Sequence, residues 1–497
     1  MLYTSTRDKT LRVTSSEAIT RGISADGGLF VPCDIPKLSL QDLQDMIPMS
    51  YIQRAKKILS LYLTDFTPEE IDACVSGAYR EGKFDSPKVA PLHRLTDNVD
   101  ILELFRGPTC AFKDMALQLL PYLLTTASKK AAPDKQIVIL VATSGDTGKA
   151  ALEGFKDVPN TRILVFYPEN GVSPMQKLQM CTQEGDNVAV CAIQGNFDDA
   201  QSGVKRIFTD ERVGQKLAEN GLMFSSANSI NWGRLVPQIV YYCSAYTDLL
   251  ESGTVKAGEP MNVVVPTGNF GNILAAYYAR EMGVPIDRLI CASNENNVLT
   301  DFLTSGTYDR NRTFYTTASP SMDILISSNL ERLLFHLSGE DDTLVRTWMS
   351  ALSKDGTYTV TADVLDKIRT IFSAAAADDD KTAGTIRKTY ETYNYLSDTH
   401  TGVAIAVCQA YRAETGDCKP TVVASTASPY KFARSVLTAL NGKAPEADDF
   451  DLSAILSEQT GTKIPAPLAS LRDKTVRFTG SSAIADMEQR VYDMLGI

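Results

Sequence analysis

The sequence predicts a parallel α/β protein preceded by a mainly helical part, and three observations point to it. Apolar residues recur at helical spacing through roughly the first 95 residues. From about residue 97, short apolar runs alternate with amphipathic stretches. Four of those runs end in loops rich in small and polar residues, where the strands of an open α/β sheet deliver ligand-binding groups.

In chain order, the helical part rests on Leu38–Leu43, Ile52–Leu63 and the run from Pro68. Thr67, Pro68 and Glu70 give the last of these a start signal, with threonine as cap and proline in the first turn. The four strand-to-loop junctions are Ile101–Phe105 before FRGPTCAFKD, Gln136–Ala142 before TSGDTG, Met261–Pro266 before TGNFGN, and Thr421–Ala424 before STASPYKF. Helices are predicted over Leu235–Leu250, with Pro237 in its first turn, and over Ile273–Met282. Between about 300 and 400 the strand signal fades, and Ala362–Ala377 reads as one helix. The charge run Asp378–Lys381 reads as its solvated end or a loop.

Composition narrows the class. At 497 residues the chain suits about three domains, at roughly 150 residues each. With 49 basic and 60 acidic residues the net charge is −11, which disfavours nucleic acid as a partner. Nine cysteines form no CxxC pair, and three scattered histidines offer no metal-binding spacing, so reduced thiols in a cytoplasm-like compartment and no metal are expected. No apolar run is long enough to span a bilayer, and no secretory signal is expected.

The chemistry concentrates in the loops. In TGNFGN, Gly268 and Gly271 allow a turn that aims successive amides and a helix N-terminus at one anion. The loop lacks the Lys-Ser/Thr ending of a nucleotide P-loop, so a phosphate without a whole nucleotide fits it better. Thr143, Ser144, Gly145, Asp146 and Thr147 form a second cradle, and an ordinary capped helix would also explain it. Lys113, after Phe112 and at a helix start, sits where burial and the dipole disfavour its ammonium, as a Schiff-base lysine requires. Ser229, Asn231 and Arg234, ahead of a long helix, can bind a phosphate, and an N-cap with a surface arginine would also explain them.

Taken together, YTSTR (Tyr3–Arg7), ISADGGLFVP (Ile23–Pro32), GPTCAFKDMALQ (Gly107–Gln118), ATSGDTGKAAL (Ala142–Leu152), NSINWGRLVPQ (Asn228–Gln238), PTGNFGNI (Pro266–Ile273) and STASPYKF (Ser425–Phe432) resemble the threonine synthase family. The resemblance covers essentially the whole chain and looks like the fungal and enterobacterial group. It implies a fold-type II pyridoxal 5′-phosphate enzyme: two open twisted α/β domains with the cofactor between them, plus a mainly helical N-terminal domain. The implied division is 1–95 helical, 96–245 with the Schiff-base lysine and TSGDTG, and 246–497 with GNFGN and a largely helical insertion near 300–400.

By the same resemblance Lys113 binds the cofactor covalently, Gly268, Asn269, Phe270, Gly271 and Asn272 hold its phosphate, and Thr426 faces its ring nitrogen. Asp146 or its neighbours stand near its phenolic oxygen. Thr143, Ser144, Gly145 and Thr147 take the substrate carboxylate, and Ser229, Asn231 and Arg234 the substrate phosphate. The implied reaction converts O-phospho-L-homoserine and water to L-threonine and phosphate, in a cytoplasmic monomer. A related lyase yielding 2-oxobutyrate would share nearly every motif, and a non-catalytic cofactor-binding protein is the rival from another class. The family commonly reads STAHPAKF where this chain has Ser428 and Tyr430, and His400-Thr401 resembles its HTA segment but continues with Gly402.

Overall fold

The computed structural model describes residues 1–143, 145–170 and 172–497. The N-terminal part is more than helical. Strands β1 (Tyr3–Ser5), β2 (Asp8–Val13) and β3 (Phe30–Pro32) form an antiparallel sheet in the order β2-β1-β3. Behind it stand the expected helices Leu40–Asp45, Tyr51–Tyr62 and Pro68–Ala78. The Thr67 side chain accepts from Glu70 N while Glu70 reaches back to Thr67 N, closing the capping box.

Strands β4 (Leu92–Thr96) and β5 (Val99–Glu103) begin the larger of two main sheets. The chain then builds the smaller sheet from β6 (Gln136–Ala142), β7 (Thr161–Pro168), β8 (Val188–Ile193) and β9 (Leu222–Ser225). It returns to the larger sheet with β10 (Met261–Pro266) and β11 (Ile286–Ser293). The short strands β12 (Thr307–Asp309) and β13 (Thr357–Thr359) pair with each other. Strands β14 (Phe372–Ala376) and β15 (Thr421–Ser425) complete the larger sheet, ordered β14-β11-β10-β15-β5-β4. Finally β16 (Ser481–Ser482) joins the smaller one, ordered β16-β8-β7-β6-β9. The near-continuous apolar runs of β6 and β10 are what a parallel strand covered on both faces requires.

Four sequence expectations change. Strand β5 pairs with β15 across the boundary expected at 245, and β4, which pairs with β5, straddles the one expected at 95. The stretch Ala362–Ala377 is a helix only to Ile371; its alanine-rich end becomes β14 because parallel pairing with Leu289–Ser293 overrides local helix preference. Asp378 does not end a helix; it caps the start of Asp379–Tyr393 by accepting from Lys381 N. The long helix begins at Trp232, which puts Pro237 beyond the first turn. Among the described residues no helix is long and apolar enough to cross a membrane.

Strands β5, β15 and β10 lie side by side and parallel, so three of the four loops leave one sheet at the same end. The fourth leaves β6 of the other sheet and starts the helix Asp146–Phe155. That helix packs on the short helix Asp114–Leu117 so closely that a Cβ on Gly154 would collide with the Leu117 carbonyl. Gly154→Ala is therefore expected to cost about 1–3 kcal/mol in a denaturant melt and to reduce activity by shifting the Lys113 segment; an unchanged midpoint contradicts this contact.

Candidate active site

The loop after β5 is zipped to the loop after β15. Phe112 N donates to Thr426 O (2.8 Å), and Ala111 bridges Ala427. Asp114 ties the turn down by accepting from Thr109 N (2.8 Å) and Thr109 Oγ1 (2.7 Å); burial pushes its carboxyl up to about 6 despite these bonds. Lys113 is thereby held with its side chain 12% exposed, its Nζ 3.3 Å from Ser321 Oγ and 3.9 Å from Asp146 Oδ2. Burial pushes this amine down to about 8; Asp146 opposes the shift, and Lys431 and Arg234 add to it.

Asp146 heads the helix that leaves the second cradle. Burial opposes its ionisation, yet Lys431 Nζ at 2.7 Å, Lys113 and a hydrogen bond from Gln176 Nε2 (3.0 Å) hold its carboxyl well below the usual range. Thr143 Oγ1 accepts from the amides of Gly145 (3.0 Å) and Gly148 (2.9 Å), so its oxygen serves first as a cap for this turn. Gly145 has φ 137°, a conformation closed to other residues, and a side chain there would strike Gln176. Thr147 is half-buried, and Ser144 lies outside the described residues.

The phosphate-loop candidate departs from expectation in one respect. The left-handed residue is Phe270, φ 62°, and neither Gly268 nor Gly271. Gly268 is required for another reason: a Cβ there would lie 2.6 Å from Ser321 O. The helix Gly271–Met282 starts without a side-chain cap, which leaves its first amides free for an anion. Asn272 Oδ1 accepts from Tyr241 OH (2.7 Å) and Tyr242 OH, while its buried Nδ2 has no partner among the described residues. Asn329 Nδ2 reaches Asn269 O (2.9 Å) and Ser229 Oγ (3.1 Å), and Ser327 Oγ donates to Gly268 O (2.8 Å).

Of the three residues expected on a substrate phosphate, the structure separates one. Asn231 is fully buried, donates to Ile19 O (3.0 Å) and Ser226 O (2.8 Å), and accepts from Gly233 N (2.9 Å). Its side chain caps the helix Trp232–Glu251, so its polar atoms are engaged within the fold. Arg234 is different: 3% exposed, it donates to Ala227 O and leaves Nε without a partner among the described residues. Burial pushes its guanidinium down to about 10, and no carboxylate among the described residues pairs with it. Ser229 is half-buried beside the Gly271 turn.

His400 is buried; Asp398 Oδ2 lies 2.7 Å from its Nδ1, and its Nε2 accepts from Ser321 N (3.1 Å). Accepting at Nε2 places the ring proton on Nδ1, so His400 fixes the Ser321 turn that Lys113 touches. Ser428, where the family commonly has histidine, caps the turn Pro429–Phe432 through Tyr430 N (3.4 Å). Sequence reasoning missed Lys431, Gln176, Ser321, Asn329 and Arg332. Of these only Lys431 sat inside a recognised motif; the others come from segments with no local signature.

The N-terminal part braces this assembly. Glu331 accepts from Thr6 Oγ1 (2.6 Å) and, through both oxygens, from Arg7 (2.8 Å each). The buried Arg332 donates to Phe30 O (2.9 Å), Ile230 O (2.6 Å) and Asn329 Oδ1, linking β3 to the segment before Trp232 and, through Asn329, to the loop after β10.

Comparison with known proteins agrees in every segment. Residues 2–79 match the family described as threonine synthase N terminus, 89–427 that described as pyridoxal-phosphate dependent enzyme, and 401–491 that described as threonine synthase, C-terminal. The chain is similar to threonine synthase-like 1 of Homo sapiens, 42% identical over 86% of this chain, and it spans 58% of that protein's length. It is also similar to threonine synthase of Pseudomonas aeruginosa, 37% identical over 95% of this chain and 97% of that protein. The solved structure of pyridoxal-phosphate-bound threonine synthase from Brucella melitensis matches with a TM-score of 0.88 and 36% identity, covering 99% of each chain.

In the cofactor-free chain, burying the Lys113 charge costs stability, and the pH window follows from the shift from 10.5 to about 8. Below pH 8 the amine is protonated in both folded and unfolded chains and the fold bears the full cost; above 10.5 it bears none. Lys113→Met should therefore stabilise the protein at pH 7 by roughly 1–3 kcal/mol, with the gain fading as pH rises through this window. Urea unfolding at pH 7 and pH 10.5 checks it; a destabilised variant at pH 7 contradicts the burial argument.

Proposed function

The chain belongs to the threonine synthase family of pyridoxal-phosphate-dependent enzymes, and on that premise we propose that it converts O-phospho-L-homoserine and water to L-threonine and phosphate. One observation carries the reading: a buried lysine with a weakened ammonium sits beside two separate sites built for anions. One is the uncapped helix start at Gly271 with the orphan amide of Asn272; the other is Arg234. Ser321 links the first of these to Lys113, because its carbonyl crowds Gly268 while its hydroxyl meets the Lys113 amine.

These residues fit pyridoxal phosphate. Gly268, Asn269, Phe270, Gly271 and Asn272 would hold its phosphate, Lys113 its aldehyde carbon, and Thr426 its ring nitrogen; the Thr426 hydroxyl makes no hydrogen bond with the described residues and is free for that contact. When bound, the cofactor supplies the electron sink that makes carbon acids of the substrate. Lys113 takes the proton from the carbon bearing the substrate's amino group, and a second proton leaves the neighbouring carbon as phosphate departs from the terminal one. Protonation of that terminal carbon, addition of the water hydroxyl to the middle carbon and return of a proton to the carbon bearing the amino group give threonine, with Lys113 and the departing phosphate sharing the transfers. Arg234, with Ser229 assisting, binds the substrate phosphate. Gly145, Thr147 and the remaining hydroxyl hydrogen of Thr143 bind its carboxylate, together with Ser144, and Asp146 stands near the cofactor's phenolic oxygen.

We place the enzyme in the cytoplasm as a monomer: its nine thiols are all free, which suits a reducing compartment, and one chain supplies every residue named in the reaction.

An NMR assay of purified protein with pyridoxal phosphate and O-phospho-L-homoserine tests the reading. Threonine equal to phosphate is the expected result; phosphate with 2-oxobutyrate makes the protein a lyase, and cofactor binding without phosphate release makes it non-catalytic. Lys113→Ala should remove turnover and the visible absorbance of bound cofactor. Arg234→Ala should lower kcat/KM by about 100-fold or more, in keeping with a lost charge-assisted pair; unchanged kinetics move the substrate phosphate elsewhere.

A further inference from the structure

We infer that Lys431 is a positioning residue: it holds the Asp146 carboxylate for itself and so keeps the Lys113 amine free to react. The inference rests on the reading of Lys113 given above. Asp146 Oδ1 is filled by Lys431 at 2.7 Å and by Gln176 at 3.0 Å, whereas Oδ2 stands 3.9 Å from Lys113, outside hydrogen-bond range. Lys431 cannot drift. Its side chain has no exposed surface, and its ammonium also donates to Thr109 O (3.1 Å), in the turn that leads to Lys113.

The charges facing Lys113 come from four elements: Asp146 at the head of Asp146–Phe155, Lys431 after β15, Arg234 on Trp232–Glu251, and Asp114 on its own helix. Asp114 is committed to both groups of Thr109, and Arg234 is a like charge. Asp146 is therefore the anion able to claim a proton on Lys113, and Lys431 occupies it. Removing Lys431 leaves a buried carboxylate whose nearest cation is Lys113, and the pairing that follows would stabilise the ammonium. A purely structural role for Lys431 would change stability without moving the Lys113 titration.

The test is competitive acylation of the full chain, freed of cofactor, with acetic anhydride across pH, reading the Lys113 peptide by mass spectrometry. Lys431→Met should move the midpoint of Lys113 labelling upward by about one unit or more, and slow capture of pyridoxal phosphate at pH 7 about tenfold or more. Lys431→Arg should keep the wild-type midpoint. The double variant Lys431→Met/Asp146→Asn should return it to or below the wild-type value, and serves if the single variant does not fold. An unmoved midpoint in Lys431→Met, or a raised one persisting in the double variant, overturns the inference. If wild-type Lys113 never captures pyridoxal phosphate, the reading of Lys113 fails instead, and the acylation midpoints still decide what Lys431 does.

Discussion

The ion pair between Lys431 and Asp146 joins the two main sheets where chemistry is expected. One partner follows β15 of the larger sheet, the other follows β6 of the smaller, and neither is exposed to water. Taking two charges out of solvent is costly and is tolerated only where geometry satisfies both, here through Gln176 on one side and the Thr109 carbonyl on the other. The pair fixes the position of the Asp146 helix, hence its packing on Asp114–Leu117, hence the placement of Lys113. A third cation, Arg234, then lies close enough to weaken the Lys113 ammonium further.

Positive charge and unsatisfied donors thus gather in one part of the interior. Arg234 keeps a buried donor unpaired, Asn272 keeps another, and the helix at Gly271 begins without a cap. Each unsatisfied buried donor is a cost to the fold, and on the function proposed above an anion would offset it. The N-terminal part makes that arrangement rigid. Glu331 grips Thr6 and Arg7 while its neighbour Arg332 grips β3, Ile230 and Asn329, so the first 32 residues brace the segment before Trp232 and, through Asn329, the loop after β10 from outside.

The region between 300 and 400, whose pattern is weak, acquires a role through the same contacts. It carries Ser321 to Lys113 and to the back of Gly268, and Asn329 to the back of Asn269. His400, buried against Asp398, holds the Ser321 backbone. None of this is visible locally, because serine and asparagine in irregular segments look alike whether they face water or a reaction centre.

Strong local periodicity was legible in the sequence: β6, β10 and β15, the helices after Thr67 and Asn231, and the loops that follow the strands. The motifs there were specific enough to indicate the family and to single out Lys113, Arg234 and the Gly268–Asn272 loop, because apolar runs and caps are properties of neighbouring residues. Pairing across the chain was decided only by the tertiary structure. Strand β14 exists because β11 lies beside it, β5 belongs to the larger sheet because β15 does, and the choice of Asn231 as helix cap depends on the carbonyls of Ile19 and Ser226 that folding brings to its amide. Lys431 stood in plain view within STASPYKF, but a lysine's role depends on which carboxylate folding brings to it, and Asp146 lies far away in sequence.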